Sequence, residues 1–254
     1  DAYEAEALAR RVSMVLPDTA MPLVAAMTAL LPPSEKKKGF VNKVRRFALG
    51  MATAPSAIAQ YRWMTFLDAR AKARLYTANL KDALVSSDVY APICRHLRAA
   101  HTDDFLNRQL YADLQVYLND DILVKVDRMS MATSLETRAP FLDVDVMELA
   151  FSMPGHLKIR SGRRKHVLKK AMAELLPASV INRGKEGFSI PMKQWLRDAW
   201  APLMQDLLSP TRVGRRGWLE PAEVTRLVDE HRSGRENHAH ILFCLMSFEH
   251  WAQR

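Results

Sequence analysis

Apolar residues return along almost the whole chain at the three-to-four-residue spacing of a helix, and the strict alternation of a half-buried strand is nearly absent. The pattern predicts helices over residues 3–15, 19–31, 37–52, 55–68, 69–85, 88–99, 103–120, 121–135, 143–153, 163–175, 191–207, 221–232 and 236–252. Turn signals separate them at Leu31-Pro32-Pro33-Ser34, Met153-Pro154-Gly155 and Ser209-Pro210, and a further loop surrounds Gly184-Lys185-Glu186-Gly187. The expected class is mostly α, with no internal repeat. Helix 103–120 carries Leu106, Leu110, Leu114 and Leu118 on one stripe, with Asp103 as its expected N-cap. The last helix is apolar nearly all round, which places it inside a bundle.

Residues 121–135 break this regularity. Their apolar positions surround the helix axis, so the segment reads as mostly buried, yet it carries Lys125, Asp127 and Arg128. Lys125 and Arg128 share a face with Asp121, while Asp127 points elsewhere. Burying such charge is costly unless it is paired or faces a polar cavity. Two readings stay open: an internal ion-pair network with Asp121 or Glu136, or a pair of cations facing a ligand. The following stretch adds Glu136 and Arg138. Pro140 extends Ala139, and Asp143 is placed to cap the next helix.

Composition narrows the class. The chain has 254 residues, 48% hydrophobic and 26% charged, which excludes a disordered tail, a collagen-like repeat and a disulfide-stapled mini-protein. Two isolated cysteines argue against thiolate zinc sites and fit a reducing, cytoplasmic setting. No apolar run approaches the ~18–20 residues of a membrane span. The net charge of +9 favours an anionic partner. It is concentrated in two stretches. Between Arg160 and Lys185 eight cations face only Glu174, and between Glu35 and Arg46 six cations face only Glu35. The second reads as a solvated helix face. In the first, Lys185 between Gly184 and Gly187 reads either as a plain turn or as a phosphate-binding loop.

Three motifs occur in one order: LVKVDRMSMATSLETRAPFLD (Leu123–Asp143), RKHVLKKAMAELLP (Arg164–Pro177) and RGKEGFSIP (Arg183–Pro191), the last ahead of Trp195-Leu196-Arg197. Together they resemble the glutamine-dependent asparagine synthetases. The resemblance covers residues 101–200 well, and 1–100 and 201–254 only as helical surroundings. It implies the helical C-terminal portion of an α/β, adenine-nucleotide α-hydrolase-like (ATP pyrophosphatase) synthetase domain. It implies ATP with Mg²⁺, aspartate, and ammonia from glutamine as reactants. By the same resemblance Lys185 stabilises charge on the α-phosphate and the departing pyrophosphate, and Lys125 faces the phosphates. Glu136 and Arg138 flank the site. Asp127, Arg128 and Glu186 complete the nucleotide- or substrate-binding candidates.

The chain departs from the family pattern in lacking the N-terminal cysteine, the Ser-Gly-Gly-x-Asp-Ser nucleotide loop and the Ser-Gly-(Glu/Asp)-Gly-x-Asp-Glu segment. It is therefore expected to be a fragment, inactive alone, with its metal ligands elsewhere and a possible homodimeric state. The alternatives are a related amidotransferase acting on another carboxylate and a basic helical module that binds nucleic acid. No helix-turn-helix spacing and no aromatic interleaving of the basic runs supports the latter.

Overall fold

A computed structural model describes residues 2–29, 40–53, 56–184 and 190–253; the candidates Lys185 and Glu186 lie outside the described residues. The chain divides into two units, Asp1–Met21 with Pro55–Trp63 and Val89–Lys185, and Pro22–Ala54 with Met64–Asp88 and Glu186–Arg254. Both are helical, and the expected mostly-α class holds for the described residues.

In the first unit, helix Ala2–Ser13, the 3₁₀ stretch Ser56–Trp63 and helix Phe105–Asp113 meet through polar groups. Asp113 accepts from the Tyr3 hydroxyl and, at 3.0 Å, from Gln60 Nε2, and its carboxylate also acts on the Tyr61 hydroxyl. Burial, reinforced by the Asp113 carboxylate, pushes both tyrosine hydroxyls above the usual range. Beside this network Arg62 donates through Nε and Nη2 to Glu6 at 3.0 and 2.8 Å, both side chains being almost wholly buried.

The helices expected over 103–120 and 121–135 are one continuous run. An α segment, Phe105–Asp113, passes into a π segment, Leu114–Leu123, and back into α at Val124–Met131, with right-handed helical dihedrals at both junctions. A four-residue leucine spacing lies between the ~3.6-residue α turn and the wider turn closed by i→i+5 bonds, so both geometries keep the stripe together. Those leucines are only partly buried; the fully buried positions of helix Phe105–Asp113 are Asn107, Gln109 and Ala112.

The N-cap is Asp104, not Asp103. Its carboxylate accepts from the backbone N–H of Asn107 at 2.9 Å and of Gly155 at 2.7 Å. Burial alone would raise its pKa. These hydrogen bonds, with one from the Leu106 backbone and the Lys158 charge, outweigh it and hold the carboxyl below the usual range. A Cβ at residue 155 would lie 2.8 Å from Asp104 Oδ1 and 2.9 Å from Leu106 Cβ, so the approach requires glycine. Asn107 Nδ2 then donates to the carbonyls of Phe151 and Met153 at 3.3 and 3.0 Å, fastening helix Val144–Ser152 to the long run.

The second unit is built around aliphatic residues. Leu75, Leu196, Met204, Leu207, Leu208, Val213, Leu219, Val224, Leu227, Val228, Ala239, Leu242, Leu245 and Met246 form one buried cluster. The helix expected over 69–85 splits into Ala69–Leu75 and Ala78–Ala83, because Tyr76 bridges to Leu219 and the Thr77 hydroxyl caps the second piece. Helix Pro210–Arg216, read in sequence as a turn, begins with Pro210, whose missing N–H is no loss in a first turn. The final helix, Ala239–Trp251, is buried along Leu242, Leu245, Met246 and Glu249, while Trp251 is exposed.

Candidate functional site

Helix Val124–Met131 is followed by a turn in which Ser134 takes a left-handed φ of 55° and Leu135 N–H returns to the Ser130 carbonyl at 2.9 Å. The chain then runs without regular structure through Glu136–Ala139 into the short 3₁₀ turn Pro140–Leu142. Ala139 is extended and Asp143 accepts from the Asp145 N–H at 3.0 Å, as the sequence implies.

Among the described residues, however, no position of 121–135 is buried. Lys125, Asp127 and Arg128 are exposed, and Lys125 Nζ lies 4.0 Å from Asp121 Oδ1 across one turn. Arg138 and Glu136 form an ion pair that is 88% and 69% exposed at the side chain. Their apolar neighbours are exposed too: Met129, Met131, Leu135, Phe141, Val144 and Leu149 each show more than half of their surface. Apolar positions all round a helix report a demand for cover, not which stretch of polypeptide supplies it. The structure thus groups Lys125, Asp127, Arg128, Glu136 and Arg138 on one contiguous segment.

The basic stretch that follows contains a hairpin the periodicity did not predict. Ile159–Arg160 pairs antiparallel with Arg163–Arg164, joined by Ser161 and Gly162 at φ of 48° and 75°. Positive φ at both central residues is the two-residue turn whose twist suits a hairpin, and Ser-Gly was its available signal. Lys165 is also left-handed at 56°, and helix His166–Ala171 follows. A recess of about 310 Å³ here is lined by Arg163, His166, Lys169, Lys170 and Asn182, without an acidic side chain. Cationic recesses of this kind suit phosphate or carboxylate groups.

Among the described residues no three His, Cys, Asp or Glu side chains converge as a metal cage. No helix of the described residues is long and apolar enough to cross a membrane. Sequence reasoning also missed the buried polar set Glu6, Gln60, Arg62, Asn107 and Gln109. Its one signal was polar residues on the inward side of helix Phe105–Asp113.

Compared with known proteins, residues 20–253 match the family model described as asparagine synthase. A Mycobacterium tuberculosis protein provisionally named asparagine synthetase [glutamine-hydrolyzing] is 36% identical over 166 residues, 65% of this chain and 25% of that protein. Asparagine synthetase [glutamine-hydrolyzing] 1 of Bacillus subtilis is 30% identical over 146 residues, 58% of this chain and 23% of its own length. The rat asparagine synthetase [glutamine-hydrolyzing] is 32% identical over 97 residues, 37% of this chain and 17% of the rat protein. The chain spans about a quarter of the length of the first two relatives. No solved structure matches it.

Proposed function

The chain belongs to the asparagine synthase family, and from that premise we propose that it is the helical C-terminal part of an ATP-dependent amidotransferase that makes asparagine. In this reading it completes an α/β, adenine-nucleotide α-hydrolase-like synthetase domain. A side-chain carboxylate oxygen of aspartate attacks the α-phosphorus of ATP, the bond to the bridging oxygen breaks, and pyrophosphate leaves. Ammonia released from glutamine then attacks the acyl carbon, AMP departs, and a proton passes to solvent.

One observation supports this reading most. The segment that carries the family-like motif presents Lys125, Arg128, Glu136 and Arg138 to the outside, set among apolar side chains that find no cover among the described residues. A charge row on an uncovered apolar face suits one side of a site whose other side comes from the remaining length of such proteins. There Lys125 and Arg128 meet the nucleotide phosphates. The Glu136–Arg138 pair orients the reacting carboxylate, with Asp127 and Glu186 contacting substrate. Lys185 holds the charge that develops on the α-phosphate and pyrophosphate, because positioned positive charge is the main aid to such transition states.

The test is aspartate-dependent ATP–pyrophosphate exchange by the intact polypeptide that carries this chain. Lys185→Ala is expected to lower exchange by at least ~10²-fold, the scale of losing one positioned charge-stabilising group, while glutamine hydrolysis stays nearly unchanged. Full exchange in that variant would remove Lys185 from this role. Exchange that needs a different carboxylate would move the reading to a sibling amidotransferase.

A further inference from the structure

The first unit contains a cavity of about 510 Å³ that uses none of the residues assigned above. It lies among helices Ala2–Ser13, Ala91–Ala99 and Phe105–Asp113 and the 3₁₀ stretch Ser56–Trp63. Three guanidinium groups, Arg10, Arg98 and Arg108, line it together with Glu6, Phe105 and Gln109.

The charge there is unbalanced. Glu6 is the one acid in the lining, and its Oε2 is already taken by Arg62 at 2.8 and 3.0 Å. Arg10 stands over the Phe105 ring with its guanidinium carbon 4.3 Å from the centroid. Arg108 donates through Nη2 to the Thr102 carbonyl at 2.9 Å, but its buried Nε has no partner. The Arg98 side chain makes no ion pair or hydrogen bond within the described residues.

Gln109 is the second, independent observation. It is 1% exposed, and neither its Oε1 nor its Nε2 has a hydrogen-bond partner. A buried amide with both ends unmet is costly, and such groups in native proteins call for an occupant. An occupant that satisfies it offers one donor and one acceptor side by side, while the arginines call for an oxyanion. A guanidinium reads a carboxylate through two parallel hydrogen bonds.

We propose that this cavity binds a small organic carboxylate that also carries a donor–acceptor pair such as a primary carboxamide. The carboxylate lies against Arg98 and Arg108, and the carboxamide pairs with Gln109. The site is independent of the proposed synthetase chemistry, so the Lys185→Ala variant must retain it.

Isothermal titration of the intact polypeptide with succinamate, succinate and inorganic phosphate tests this. Succinamate is expected to bind saturably and more tightly than succinate or phosphate. Arg98→Gln, at an exposed position without a partner, weakens it about tenfold, the scale of one charge-assisted hydrogen bond. Gln109→Leu removes the discrimination between succinamate and succinate, and raises the ligand-free melting midpoint by removing two unmet polar atoms. Absence of saturable succinamate binding overturns the proposal. So does phosphate binding as tightly as succinamate, or succinamate binding that both variants leave unchanged.

Discussion

The second unit closes fourteen apolar side chains, from Leu75 to Met246, on one another, and its buried polar residues among those described are only His231 and Glu249. The first unit buries Glu6, Gln60, Arg62, Asn107 and Gln109 and leaves Met129, Met131, Phe141 and Leu149 in solvent. The difference separates two ways of holding helices together. Aliphatic burial is non-directional and stabilises any arrangement that excludes water. A buried polar network tolerates only the geometry that satisfies its members, and so specifies one arrangement more sharply. The first unit thus gives part of its interior to geometry and leaves part of its apolar surface exposed.

Breaking the network should have the largest effect. Arg62→Met leaves the Glu6 carboxylate buried without its cation and is expected to cost about 3–5 kcal/mol in urea unfolding. Adding Glu6→Leu should restore most of that loss, because replacing both members of a buried pair with apolar groups is far milder. A single variant as damaging as the double would mean that packing, not charge, governs the pair.

The aliphatic side of the comparison predicts a similar or slightly smaller loss. Leu242, at 0% exposure, should cost ~2–5 kcal/mol on truncation to alanine, from lost transfer energy and the cavity left behind. No partner substitution should rescue it, since no specific partner is left unsatisfied.

A pH scan sharpens the contrast within the second unit. His231 is fully buried; its Nε2–H donates to the Lys193 carbonyl at 3.2 Å, and its Nδ1 accepts from the His238 N–H at 3.2 Å. Burial, with Arg197, His238 and Lys193 nearby, pushes its pKa below the ordinary value of 6.5. The unfolded chain therefore binds a proton that the folded one refuses. The stability tied to the neutral ring is complete above pH 6.5 and is lost as pH falls through the lowered value. Urea midpoints should drop between pH 7 and pH 5, and His231→Phe should flatten that slope. Equal slopes in both proteins would assign the dependence to other groups. The lowered carboxylates Asp104, Glu223 and Glu230 act only at more acid pH.

The smallest effect belongs to the uncovered face. Met129→Ser and Phe141→Ser should each change the stability of residues 1–254 by less than ~0.5 kcal/mol, the usual range for exposed positions. A loss above ~2 kcal/mol would show that the face is already buried in solution and would erase the contrast.

Much of the helical plan is legible in the chain. Pro140 and Asp143 act as their residue types imply, and the last helix spans its apolar run, although only one face of it is buried and Phe243 and Trp251 are exposed. The misses share one cause. Asp103 and Asp104 are equal candidates for a cap until Gly155, fifty-one residues on, offers its N–H to Asp104. Ser209-Pro210 looks like an interruption because proline both ends and begins helices. The continuity of 105–131 was hidden because periodicity analysis assumes a constant turn, and the π segment widens it.

The amino-acid sequence by itself determined that the chain is helical, where most helices lie, and which motif links it to the asparagine synthase family, since these follow from local periodicity and residue identity. Only the tertiary structure decided that Gln109, Asn107 and the Arg62–Glu6 pair are buried while Lys125, Arg128 and their apolar neighbours are not. Helical spacing marks which residues share a face, but burial depends on what packs against that face, and such partners come from elements far apart in the chain.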